Sequence, residues 1–504
     1  MSLAQFSETP WKTSHPVYTG SALAMKPAPE YASSEVLLSS LYRVLGLPDV
    51  SEPKIPAHGR ELDRMIQAHL NKASKPERAV LEADTIHSLL HSVLESPKLP
   101  KQSARRFLQV TPLVPEVATF SGSARLAGNS WSAGSLVRRM IWLGSTEQRQ
   151  SSEVWRSLFE ALAVDKRDDI FARFLQAELG AWSGGVQWRE VPGEDDAPTF
   201  DADDLAACPA RQLLGDLMSV LAAKDAMTRR QWTSVLEAVI RLGAVAHVAW
   251  TCDVHARSWA CVRKALAGGG PATQEEARDA IFPGSPAYFS YGDRALPRFT
   301  DLVSQYLSAR LGLNATLWTM EAAGIKVTGG LSSSGQIAIL CKEIRAAAPK
   351  LVELNVAKLV AEISERENHR LLCRKGIGSN ILEFARHALG QRQAANPILR
   401  GYDQGYALRK KSAASSSPWV VSLGPVSVLA MVHCSLASSA GPRSVRRLAQ
   451  HLAAYGLIVD YREIATNDLG HQLRMLGLIL DSPDAESGML LVPPFALQRQ
   501  TGTT

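Results

Sequence analysis

At 504 residues the chain is long enough for about three domains. Its 46% apolar and 21% charged residues are those of a folded protein and exclude a disordered or low-complexity chain. The net charge is a modest +6, and six cysteines with no C-x-x-C pair exclude a disulfide scaffold and predict reduced, mostly buried thiols.

The first ten residues lack a basic start followed by an apolar run, so no secretory leader is expected and the cytoplasm is the predicted compartment. Residues 1–33, rich in Ser, Pro and Thr and carrying Trp11 and Tyr18, read as an extended arm laid over the body or a partner. A helical domain is predicted over 34–183. In it Ile86, Leu89, Leu90, Val93 and Leu94 recur at helical spacing, and Ile170, Phe171, Phe174 and Leu175 form a second stripe. Residues 184–207 read as an acidic linker with Gly193-Glu-Asp-Asp196 and Asp201-Ala-Asp-Asp204. Clustered carboxylates can hold a divalent cation or act as acid and base, but with no histidine beside them they predict a solvated connector.

A second helical domain is predicted over 208–396, with stripes at Leu213, Leu214, Leu217, Met218 and Leu221 and at Trp232, Val235, Leu236, Val239 and Ile240. Cys252, His255 and Cys261, with His247 nearby, are metal-ligand residue types at no zinc spacing, and read as helix residues. No metal or cofactor is expected. Breaks fall at 268–271 and 284–296, further helices at 297–313 and 351–363, and no repeat of fixed period is visible. In the helical stretch from Glu362 to His369 and just beyond, Glu367 and Arg370 at a spacing of three read as a surface pair.

The glycine/serine loop at 324–336 precedes a helix and could offer backbone amides to a phosphate. Its segment 330–335 resembles the nucleotide loop of the small-molecule kinases related to galactokinase. That resemblance implies nucleotide binding, but it covers about eight residues, lacks the alternating strands of that family and lacks the alanine after the serines. No Walker lysine is present. The competing expectation is a helix N-cap loop in which Ser332, Ser333 and Ser334 satisfy free amides.

Charge is concentrated between 370 and 447. Arg370, Arg374, Lys375, Arg386, Arg392, Arg400, Arg409, Lys410, Lys411, Arg443, Arg446 and Arg447 face only Glu383 and Asp403, so twelve minus two gives +10 here and −4 elsewhere. Such a patch is an electrostatic footprint for a polyanion. Residues 397–418 read as a basic, Ser-rich linker. The uncharged stretch 412–442, interrupted at Gly424-Pro425, predicts a buried strand and a core helix rather than a membrane span.

The remaining stretch, 419–496, is predicted as three helices and a hairpin. Pro425 starts the first helix, a second runs over 443–455 to a cap at Gly456, and Asn467 caps a third that ends at Gly477. Apolar runs 478–481 and 489–492 flank a turn-rich loop. This order resembles a winged helix. The resemblance implies that the third helix enters a DNA major groove, with His471, Gln472 and Arg474 toward base edges and Arg443, Arg446 and Arg447 toward phosphates. The hairpin tip departs from that pattern with Asp481, Asp484 and Glu486.

The predicted fold is mainly α, several helical subdomains ending in a winged-helix-like module. The predicted function is a non-enzymatic nucleic-acid-binding subunit, DNA more than RNA, working with other protein subunits and without a membrane. A bacterial DNA-processing or defence assembly would suit it. The alternatives are a helical scaffold whose terminal module docks a protein, and, more remotely, a nucleotide-binding enzyme using 329–335.

Overall fold

The computed structural model describes residues 2–21, 24–25, 34–50, 61–94, 111–119, 133–183, 187–196, 201, 203–371, 377–390, 405–412, 414, 416–437, 441–482 and 489–495. Among them are eighteen α-helices and seven strands of two or three residues, so the fold is mainly α.

The N-terminal segment is helical where the sequence predicts an extended arm. Helix α1 (Leu3–Glu8) starts with a capping box between Ser2 and Gln5, and α2 (Pro16–Thr19) follows. Phe6 is buried with Leu311, Ala315, Trp318 and Ile363, far along the chain. The Trp11 indole donates to Glu367 at 3.0 Å, and the His15 amide donates to Asn314 Oδ1 at 2.7 Å. Glu367 is thus a buried acceptor, not half of a surface pair. The side chain of Arg370 lies outside the described residues.

Next come α3 (Ser34–Gly46), α4 (Glu61–Asn71) and α5 (Ala83–Leu89), the last running into a π-turn, Leu90–Leu94. Of the predicted face, Ile86, Leu90 and Leu94 point inward against Leu62 and Ile66 of α4, Leu89 is half-buried and Val93 is exposed. Helices α6 (Ala133–Gly144), α7 (Gln150–Leu162) and α8 (Ile170–Ser183) follow. In α8 the predicted stripe is rotated: Ile170 is 76% exposed, while Ala172, Leu175, Leu179 and Trp182 are buried. Buried Glu178 decides that rotation, because it accepts from the amides of Val80 and Leu81 and from the Trp182 indole. An uncompensated buried carboxylate would cost several kcal/mol.

Residues 187–196 form a packed strap where a solvated connector is predicted. Arg189 and Val191 donate their amides to Gly46 and Leu45, and the Trp155 indole donates to Val191 O at 2.9 Å.

The centre is α10 (Arg229–Leu266), 38 residues long and about 57 Å by helix geometry. Thr228 and Gln231 close a capping box at its start. It is apolar on nearly every side because α9 (Pro209–Ala222), α12 (Ala295–Ala322), α13 (Ser334–Glu353) and α16 (Pro425–Leu436) all pack on it. By length and composition α10 could cross a membrane, but 94% of its apolar window is buried inside the fold. His247, Cys252, His255 and Cys261 are turns of this one helix, buried in the core. Burial pulls His247 down to about 3 and His255 to about 4.

At the foot of α10, Arg229 joins four segments. It pairs with Asp168 at 3.1 Å and donates to Leu113 O and Ala163 O and to the Tyr42 hydroxyl. Helix α11 (Gln274–Ile281) and strand β1 (Phe289–Ser290) lead into α12, which starts two residues earlier and runs nine residues further than the periodicity predicts.

The glycine/serine loop meets its own chain. Buried Asp204 accepts the Ser334 amide at 2.8 Å, Ser333 caps α13 through Gln336, and Glu343 accepts from the Thr328 and Gly329 amides. A carboxylate therefore already sits where a phosphate would bind.

Helices α14 (Val356–Leu371) and α15 (Ile377–Ala388) complete the body. The predicted linker 397–418 contains strand β2 (Leu408–Lys410), antiparallel to β3 (Trp419–Val421). The remaining elements are α16, β4 (Arg443–Ser444), α17 (Arg446–Ala454), β5 (Leu457–Ile458), α18 (Asp468–Met475), β6 (Ile479–Asp481) and β7 (Met489–Leu491).

Candidate nucleic-acid interface

Local chemistry sets each boundary of the C-terminal segment. Pro425 occupies the first turn of α16, and Gly456 (φ +72°) and Gly477 (φ +66°) take the left-handed positions behind α17 and α18. Asn467 accepts the Gly470 amide at 3.1 Å and caps α18. The second helix starts at Arg446 rather than Arg443, because Arg443 and Ser444 pair with Leu491 and Leu490 as β4. The resulting sheet has the order β4–β7–β6, antiparallel throughout. Strand β5 pairs instead with β1, parallel, and so ties this segment to the loop before α12.

A buried polar hub fixes the segment to the body. Asp216 on α9 accepts from the Tyr455 hydroxyl at 2.7 Å and lies 2.9 Å from His451 Nε2, while Gln212 donates to its other oxygen at 2.9 Å. His433 Nε2 lies 3.0 Å from Ser219 O. Because that carbonyl can only accept, the ring nitrogen donates.

The predicted phosphate contacts are divided by this geometry. Arg374, Lys375, Arg392 and Arg400, like Asp403, Asp484 and Glu486, lie outside the described residues. Arg386 pairs with Glu383 on its own helix. Arg409 pairs at 3.0 Å with Asp468, which also accepts from Ser422 and Gln472. Gln472 is therefore half-buried and turned back along α18. Arg474 donates to Ala465 O and lies 3.5 Å from Asp481. Arg447 donates to Ser435 O at 2.5 Å, and Lys410 to Ala414 O at 3.4 Å. Arg443, Lys411 and His471 are exposed.

One cationic group is gathered at the surface. The Arg446 guanidinium lies 5.6 Å from the Tyr461 ring centroid, and that of Arg462 lies 5.7 Å from the same ring. Both arginines are exposed and Tyr461 is half-buried. Tyr461 and Arg462 escaped the sequence reading, although a Tyr-Arg pair between the second and third helices of the predicted module was a usable signal. Two large apolar side chains are exposed in this segment, Met475 at the end of α18 (74%) and Leu480 on β6 (54%).

The chain matches no protein-family model and no curated protein.

Proposed function

We propose that the chain is a nucleic-acid-binding subunit, for DNA rather than RNA, whose C-terminal segment is a winged helix serving a cytoplasmic multi-protein assembly. The element order helix–strand–helix–strand–helix–hairpin, in which β5 pairs outside the segment, and the sheet order β4–β7–β6 support the winged-helix reading. The observation that carries the binding reading is the Arg446–Tyr461–Arg462 group at the start of α17. Two guanidinium groups beside one ring gather positive charge at one point of the surface, which suits the backbone of a polyanion. Pairing of Arg409 and Arg474 with carboxylates withdraws them from the residues expected to reach DNA, which favours phosphate binding without strong base readout.

The test is binding of the full chain to labelled single- and double-stranded DNA across a salt series, beside Arg446→Ala/Arg462→Ala. Affinity is expected to fall steeply with salt, and the salt slope of the variant to be shallower by about one for each phosphate it no longer neutralises. No binding at low salt would overturn the proposal. Exposed Met475 and Leu480 favour a second reading, docking of a protein partner on this segment, which that outcome would put first.

A further inference from the structure

We propose that Asp63, His87 and His91 form a binding site for a divalent transition-metal ion of the zinc class, clamping α4 to the α5–π segment. Helix α4 presents Asp63 and Gln67 one turn apart, and the facing segment presents His87 and His91 one turn apart. Asp63 Oδ1 lies 3.2 Å from His91 Nε2 and 3.8 Å from His87 Nε2. The donor atoms of the three residues all lie within 4.8 Å of one another. Bonds of about 2.0–2.2 Å in a tetrahedral site need donors about 3.3 Å apart, so a small closure suffices.

The arrangement has a chemical logic. Two imidazole rings, 4.5 Å apart, turn the same nitrogen toward one carboxylate. A metal ion would take the place of the proton between His91 and Asp63 and of the Gln67 amide hydrogen at His87. Two imidazoles and a carboxylate suit zinc, cobalt, nickel or ferrous iron and leave open positions. The Gln67 amide nitrogen lies 2.7 Å from His87 Nε2, and turning that carboxamide over brings its oxygen to the same point as a fourth donor. All three ligands are partly exposed, which gives an ion and its water a path in.

The spacing is set before any ion arrives. Leu62 and Ile66, next in sequence to Asp63 and Gln67, are buried against Ile86 and Leu90, next to His87 and His91. The donors therefore rim an apolar seam. His91 also lies in the π-turn, and such wide turns recur at functional sites. This seam belongs to a small apolar cluster separate from the main core, so an ion bound only in the folded state would stabilise it by mass action.

The experiment titrates chelator-treated full-length protein with Co²⁺ and Zn²⁺, following cobalt visible absorption, stoichiometry by calorimetry and Tm. Expected are one ion per chain at this site and a higher Tm. The His87→Ala/His91→Ala variant should lose that ion, and Asp63→Asn should weaken it by more than the roughly 10–100-fold typical of outer-shell substitutions. Should the variants fail to fold, X-ray absorption of the cobalt-loaded wild type decides: nitrogen and oxygen ligands including imidazole support the site. Sulfur ligation, no uptake by the wild type, or unchanged uptake by a folded double variant would overturn it.

Discussion

His451 on α17 and Asp216 on α9 meet at 2.9 Å across 235 residues of chain, with the Tyr455 hydroxyl on the same carboxylate oxygen. Asp216 is buried, and its carboxylate oxygens are satisfied by these groups and by Gln212. Replacing it with asparagine keeps the volume and sets a weaker acceptor against three donors. Asp216→Asn is expected to cost about 2–4 kcal/mol in urea unfolding, and Tyr455→Phe about 1 kcal/mol. Near-wild-type stability of Asp216→Asn would show that the hub does not hold the C-terminal segment.

Acid should destabilise the fold through α10. Burial lowers His247 to about 3 and His255 to about 4, from 6.5. Between those values the unfolded chain binds protons that the folded chain refuses. Stability is therefore full above about pH 7 and falls as pH drops from 6.5 toward 4, by about 3 kcal/mol per histidine. His255 donates from Nδ1 to Thr251 O, a bond the neutral ring can make. Urea melts at several pH values should show a shallower slope in His255→Asn, and an unchanged slope would reject burial as the cause.

Gly470 sits inside α18, where helix propensity alone predicts that alanine would gain about 1 kcal/mol. A Cβ there would collide with the Ile464 carbonyl, which is backbone and cannot swing aside. Overpacking should win, so Gly470→Ala is expected to lower stability by about 1–3 kcal/mol. A thermal melt checks the sign.

Asp204 holds the Ser334 amide at the start of α13, and its own burial raises its pKa. Asp204→Ala should cost about 1–2 kcal/mol, the usual worth of such a cap. ATP and orthophosphate should leave the wild-type Tm unchanged, since the carboxylate stands in their place. A nucleotide-dependent rise in Tm, lost on Ser333→Ala, would reverse that conclusion.

Local signals carried the helices because they depend on neighbours three and four residues away. Asn467, Gly456, Gly477 and Pro425 each sit where their backbone preferences predict. What stayed hidden depends on partners distant in sequence. The rotation of α8 is set by Glu178 meeting Val80 and Leu81, and the order of the 187–196 strap by Leu45 and Gly46. Strand β4 is two residues long and exists because β7 lies beside it. The basic segment was legible as charge, but the pairing of Arg409 was not, because Asp468 lies outside residues 370–447. The Asp63–His87–His91 convergence likewise needs two helices to meet.

The N-terminal contacts also order events in time. Trp11 and Glu367 are 356 residues apart, and Phe6 has its packing partners beyond residue 310. At translation speeds of about 5–20 residues per second, the first segment waits roughly 20–70 s for Glu367 to be made. Until then Phe6 and Trp11 lack these partners, so this part of the fold can close only after residue 367 has been made. A bulky fusion before Ser2 should therefore slow maturation more than it lowers final stability.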